Sequence, residues 1–203
     1  LTGKWLSHLG DSFHNDLLAG NGNLESAEPT KRLIVMSGYV SKKPKLKELI
    51  LATPNELCLE AINQSEFQEF YFMVLEYIDK YGFRCMSEMK LEQKDLHQEP
   101  GLFFVFLKNL INCGQTDLHE YEKREKDIRE NAEAYLEKNI SGVKKMIYKW
   151  SLKHARKAVM NRENTRFCRT RIYGVVRAMF YAMGEDFTKS NIIDKKDDIF
   201  YLS

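Results

Sequence analysis

Between Ser141 and Phe180 the chain carries eleven Lys or Arg and a single acid, Glu163, although the formal net charge of all 203 residues is only +2. On a helix turning about 100° per residue, Arg162, Arg166, Arg169, Tyr173 and Arg177 fall within about 80° of one another. A neighbouring stripe of Ile172, Val175, Val176, Met179 and Met183 is expected to be the buried one. Guanidinium groups bind carboxylates and phosphates through paired, fixed-geometry bonds. Three occupants compete for this row: the acidic helix expected over Glu120–Glu137, an anionic ligand or a partner domain carrying one, and nucleic acid. Aromatic residues are not regularly interleaved with the arginines, no known nucleic-acid motif occurs and the overall charge is near neutral, which argues against nucleic acid.

The second concentration of chemistry is the stretch Tyr81–Glu92, where Arg84, Glu88 and Lys90 lie within seven residues and no helical or strand period runs through them. Loops held on rigid helices commonly carry function. The plain alternative is that Arg84 and Glu88 pair with each other or cap helix ends. Other motifs fail. Gly20-Asn21-Gly22 lacks a preceding strand and has Glu25 where a dinucleotide loop needs its third glycine. Walker, H-E-x-x-H and G-x-S-x-G patterns are absent. His8, Asp11 and His14 fit ordinary surface or capping residues better than a metal site. Cys58, Cys85, Cys113 and Cys168 include no C-x-x-C pair, so a zinc ribbon is not expected and the thiols are expected reduced. No catalytic nucleophile with a local base stands out.

The elements that must position these groups read as helices. Trp5, Leu6, Leu9, Phe13 and Leu17 mark a first helix, ended by Gly20–Asn23. A second is expected over about 29–40, and Lys42-Lys43-Pro44 breaks the chain. Thr53-Pro54-Asn55-Glu56 has the form of a capping box opening a helix. Phe67, Phe70, Tyr71, Val74, Leu75 and Ile78 then give one wide buried face up to Tyr81-Gly82. Residues 83–99 read as an ordered loop with a short strand, and 102–111 as a buried helix. Leu118, Tyr121, Ile128, Ala132 and Tyr135 form a heptad seam on a long charged helix. Ser141-Gly142 is the expected turn into a second long helix over about 143–183, bent near Asn161–Asn164. Residues 197–202 are β-prone. The expected fold is all-α: one helical domain, with a compact part over 1–116 and a long antiparallel helix hairpin and tail over 117–203.

At 43% apolar and 30% charged the composition is that of a globular chain. The longest apolar runs, Phe70–Leu75 and Leu102–Leu107, are far short of the roughly 20 residues a membrane helix needs. The chain opens on Leu1 with no leader pattern, so a cytoplasmic location is expected. The missing Met fits either a processed chain or a piece of a longer one.

Several segments in order resemble the middle region of phosphoenolpyruvate synthase-like proteins, the group that includes rifampin phosphotransferase. They are Gly22-Asn23-Leu24-Glu25-Ser26-Ala27-Glu28-Pro29, Tyr81-Gly82-Phe83-Arg84 with Glu88-Met89-Lys90-Leu91, Arg162-Glu163-Asn164-Thr165-Arg166-Phe167 with Arg169-Thr170-Arg171, and Asp198-Ile199-Phe200-Tyr201-Leu202. The resemblance implies a kinase-type transferase in which ATP, with Mg, phosphorylates a mobile histidine that then phosphorylates an acceptor such as pyruvate. The middle helical region would bind the acceptor or dock the phosphohistidine domain, and its partners would be that domain and the ATP-grasp domain of the same polypeptide. On this resemblance Arg84, Glu88, Lys90, Arg162, Glu163, Arg166, Arg169 and Arg177 are expected to make ligand or interdomain contacts, with no catalytic residue, metal or cofactor in this chain itself. Ser7-His8 lacks the context of the carrier histidine, and Phe83 stands where family members often have His, so neither role carries over. The alternative is a non-enzymatic helical module whose basic face meets an acidic protein or nucleic acid.

Overall fold

The computed structural model describes residues 12–19, 24–84 and 89–202. The fold is all-α, and no strand occurs among the described residues. The helices are α1 (Ser12–Leu18), α2 (Glu28–Ser41), α3 (Pro44–Ala52), α4 (Asn55–Asn63), α5 (Gln68–Tyr81), α6 (Gly101–Asn112), α7 (Leu118–Asn139) and α8 (Gly142–Lys189), with 3-10 turns at Glu25–Ala27 and Lys196–Tyr201. Trp5, Leu6, Leu9, His8, Asp11, Gly20–Asn23 and Glu88 lie outside the described residues.

Two compact units form, and each is built from two stretches of chain. One joins the described residues up to Glu28 with Asp117–Thr165; the other joins Pro29–Thr116 with the residues from Arg166 onward. A break at 116/117 was the expected boundary, but the chain does not divide there alone. The reason lies in α8, whose 48 residues supply Tyr148 to one core and Phe167 to the other.

In the smaller unit Phe13 and Leu17 of α1 pack with Ala132, Leu136, Ile140 and Tyr148. Asp117 caps α7 by accepting from the His119 backbone N–H at 2.8 Å. The buried pair on α7 is Ala132 and Leu136, while Ile128 and Tyr135 of the expected seam are exposed. Gly142 takes a φ of +61°, the left-handed conformation that the expected Ser141-Gly142 turn requires. Part of the basic segment is neutralised internally: Glu137 pairs with Lys149 and Lys145, and Glu133 with Arg156. The Arg156 guanidinium also donates to the Leu17 carbonyl at the end of α1.

In the larger unit α5 buries Phe70, Val74 and Ile78 of the expected face together with Tyr77 and Tyr81, while Phe67 and Tyr71 are half-buried and Leu75 is exposed. Phe103, Phe104 and Leu107 of α6 share that core. The capping box expected at Thr53 is not formed. The Thr53 hydroxyl donates back to the Leu49 carbonyl at 2.6 Å and so closes α3, leaving Pro54 ahead of α4. The expected continuous run to Tyr81 is interrupted as well. The Ser65 hydroxyl donates to the Ile62 carbonyl and accepts from the Phe67 N–H, which ends α4 and opens α5.

Residues 197–202 are not extended as their β-prone composition suggested. Residues 196–201 form a 3-10 turn, because Ile199 is buried, Phe200 stacks on Phe180, and the Asp198 carboxylate accepts from the Lys195 N–H. An isolated apolar segment with no neighbouring strand gains more from packing than from extension. The largest departure is on α8. Ile172, Val175, Met179 and Met183, expected to be buried, are 63%, 62%, 61% and 47% exposed, and Val176 is half-buried. The face that meets the core is Phe167, Thr170, Gly174, Arg177, Tyr181 and Gly184.

Candidate functional site

Small and polar residues on the inner face of α8 let the loop after α5 lie against it. A Cβ at Gly174 would stand 2.5 Å from Phe83 Cβ, so only glycine allows this approach. Three positions further on, Arg177 is fully buried. Its Nη1 donates to Asp95 Oδ2 at 2.9 Å, Nε to the Leu91 carbonyl at 3.1 Å and Nη2 to the Lys90 carbonyl at 3.0 Å. One guanidinium thereby fixes the loop over residues 90–95.

Asp95 is 2% exposed. Its Oδ1 accepts from the His97 backbone N–H at 2.9 Å and lies 3.2 Å from His97 Nδ1. Burial pushes the Asp95 carboxyl up, but the bonds from His97 and Arg177 more than offset this and leave it below the usual carboxylate value. The bond to Asp95 raises the His97 imidazole above its ordinary value. Burial opposes that rise, the charges of Asp95 and Asp79 add to it, and Arg177 lowers it. The ring also lies against Gly82, where a Cβ would stand 2.7 Å from its Cε1.

His97 opens onto a cleft of about 580 Å³ in the larger unit. Phe83, Gly174, Val175 and Ala178 give it an apolar wall, and Glu76, Asp79, Lys80 and Arg171 carry its charge. Arg171 lies over the Phe83 ring, 5.8 Å from its centroid, and Phe83 meets Phe167 edge-on at 5.3 Å. Such a volume lies within the range of small-molecule sites. An imidazole held by a buried carboxylate can hold a proton at a hydroxyl, and Lys80 and Arg171 in the same cleft can balance negative charge against Glu76 and Asp79.

The residues expected from sequence are dispersed. Arg84 is half-buried, 5.9 Å from the centroid of the Phe167 ring, and Lys90 is exposed while its carbonyl serves Arg177. Arg166 and Arg169 are exposed on α8 of the larger unit. Arg162 and Glu163 belong to the smaller unit and pair with each other at 3.0 Å. Arg177 is enclosed, with its donors turned to the loop. Sequence reasoning missed Asp95, His97, Asp79 and Lys80. The one available signal was Asp95-Leu96-His97, two polar groups in the i, i+2 relation of an Asx turn. Among the described residues no three His, Cys, Asp or Glu side chains converge as metal ligands.

Helices as the regular elements among the described residues, with a cleft lined by apolar and charged side chains between a loop and a long helix, define the class as an all-helical domain. A family model narrows that class: the rifampicin phosphotransferase fourth domain matches residues 1–163, about four-fifths of the chain, and the chain belongs to that family. It is therefore a phosphotransferase-related domain. No curated protein matches it. Asp95 and His97 lie within the matched residues, whereas Arg171 and Arg177 follow them. None of the described helices is long and apolar enough to cross a membrane.

Proposed function

We propose that this chain is the acceptor-binding helical domain of an ATP-dependent phosphotransferase and that the cleft beside His97 holds the phosphoryl acceptor. The observation that carries this reading is the line Arg177–Asp95–His97, a buried ion pair ending in an imidazole at the cleft. With the Nδ1 proton donated to Asp95, Nε2 is the ring atom left to take the proton of an acceptor hydroxyl. The hydroxyl oxygen then attacks a phosphoryl group brought by a phosphohistidine domain, and the P–N bond breaks toward the carrier imidazole. Arg171 and Lys80 stabilise the negative charge that gathers on the transferring group. The apolar wall suits an acceptor with an apolar body carrying a hydroxyl. Arg84, Lys90 and Arg166 are the side chains we assign to the arriving domain, and ATP and Mg serve the ATP-grasp domain. The chain alone binds but does not turn over.

Thermal unfolding of the chain with phosphate, pyruvate, phosphoenolpyruvate, rifampicin and a short DNA duplex tests this. Binding to the folded state alone raises the melting point, by about 2.7 kcal/mol of stability at a hundredfold excess over Kd. The reading expects a saturable rise with a small acceptor, lost in His97→Gln and Arg171→Glu. A rise with DNA alone, abolished by salt, would replace it with the basic-face module.

A further inference from the structure

The apolar ridge that α8 exposes has the pattern of a coiled-coil seam. Ile172, Val176, Met179 and Met183 are spaced four, three and four residues apart, alternating d and a positions of a heptad. The next seam positions are Arg169 before Ile172 and Asp186 after Met183. Ile172, Met179 and Met183 are between 47% and 63% exposed, Arg169 is exposed, and the Asp186 side chain is 76% exposed. The core of the larger unit is met by the other side of the helix, so the seam faces solvent at every position but Val176, which is half-buried.

The order of these six residues is self-complementary when reversed. In an antiparallel pairing centred between Arg177 and Ala178, Ile172 of one chain meets Met183 of the other, Val176 meets Met179, and Arg169 meets Asp186 at both ends. Isologous contacts require this kind of self-matching surface. A parallel pairing would set Arg169 against Arg169 and Asp186 against Asp186. Asp186 also pairs with Lys189 at 3.4 Å, but both side chains are more than 70% exposed, so that contact yields readily to a better one.

We propose that the exposed seam of α8 is a self-association surface, on which a second copy of this chain docks antiparallel with Arg169 and Asp186 paired in trans. The inference is independent of the cleft and stands or falls without it. With so few side chains on each side the interface lies at the small end of specific contacts, so association is weak, with a Kd on the order of 100 μM.

Sedimentation equilibrium of the full chain from about 5 to 500 μM, a range bracketing that Kd, reads this directly. The proposal expects a monomer–dimer equilibrium that Met179→Lys abolishes while the circular dichroism of the helices is kept. Arg169→Asp and Asp186→Arg should each weaken the dimer about fivefold, and the double variant should restore it to within about twofold, since the two reversals compensate only across the pair. A monomer throughout the range overturns the proposal. So does a dimer indifferent to Met179→Lys, or a double variant no better than the singles.

Discussion

Arg177 Nη1 lies 2.9 Å from Asp95 Oδ2, and with the two side chains 0% and 2% exposed the pair is shielded from water. A charge in such a place is tolerable only with its partner, and removing one partner of a buried pair costs about 3–5 kcal/mol. Asp95→Ala and Arg177→Met are therefore expected to lower stability by about that amount in chemical denaturation. Arg177→Lys should recover only part of it, because an ammonium cannot reach Asp95 and the two loop carbonyls from one fixed fork. A loss below about 1 kcal/mol for Arg177→Met would mean that the loop is held elsewhere.

The same network fixes the sign of the pH dependence. His97 titrates above its ordinary 6.5 in the folded chain, so its contribution is fully present below that value and is lost as the pH rises through the folded value. Asp95 titrates below its ordinary 3.8, so its contribution is present above 3.8 and is lost as the pH falls through the folded value. NMR titration of the His97 imidazole should show the upward shift. Asp95→Asn should reverse it, since burial, which favours the neutral ring, then acts with less opposition. A His97 value unchanged by Asp95→Asn would contradict the dyad.

Two glycines make opposite demands on an added methyl group. At Gly174 the obstacle is a neighbour, Phe83 Cβ at 2.5 Å, so Gly174→Ala must push the loop away from α8 and is expected to cost about 1–3 kcal/mol. At Gly142 nothing lies within 4 Å, and the obstacle is the backbone itself at φ +61°, for which Gly142→Ala is expected to cost about 1–2 kcal/mol. Only the first should also weaken ligand binding in the cleft, which separates the two in a paired stability and binding measurement.

The helices themselves were legible where one face is buried: Phe70, Val74 and Ile78 of α5 lie inside as their spacing suggests, α6 forms over the apolar run although Val105 and Phe106 are exposed, and the turn at Ser141-Gly142 follows from the glycine. The second half of α8 was misread for a physical reason. Its apolar stripe marks the solvent face, while its core face sets Phe167 and Tyr181 among Thr170, two glycines and Arg177, and those four are residues that periodicity scores as polar or neutral. Gly174 and Gly184 sit where other backbone presses on the helix, and Arg177 is buried because loop carbonyls and Asp95 satisfy it. None of those partners is visible from the helix sequence. The dyad was missed for the same reason, since Asp95 and His97 gain meaning only once Arg177, 82 residues from Asp95, is brought to them.

The central claim is that an acceptor hydroxyl meets His97 Nε2. It is tested most directly by following the His97 imidazole nitrogens by NMR while rifampicin, pyruvate and phosphoenolpyruvate are added in turn to the full chain. The account predicts a saturable shift of Nε2 with one acceptor, a smaller response at Nδ1, which stays on Asp95, and no binding in Arg171→Glu. If a compound binds with His97 undisturbed, or if none of the compounds moves either nitrogen, the acceptor does not sit in this cleft.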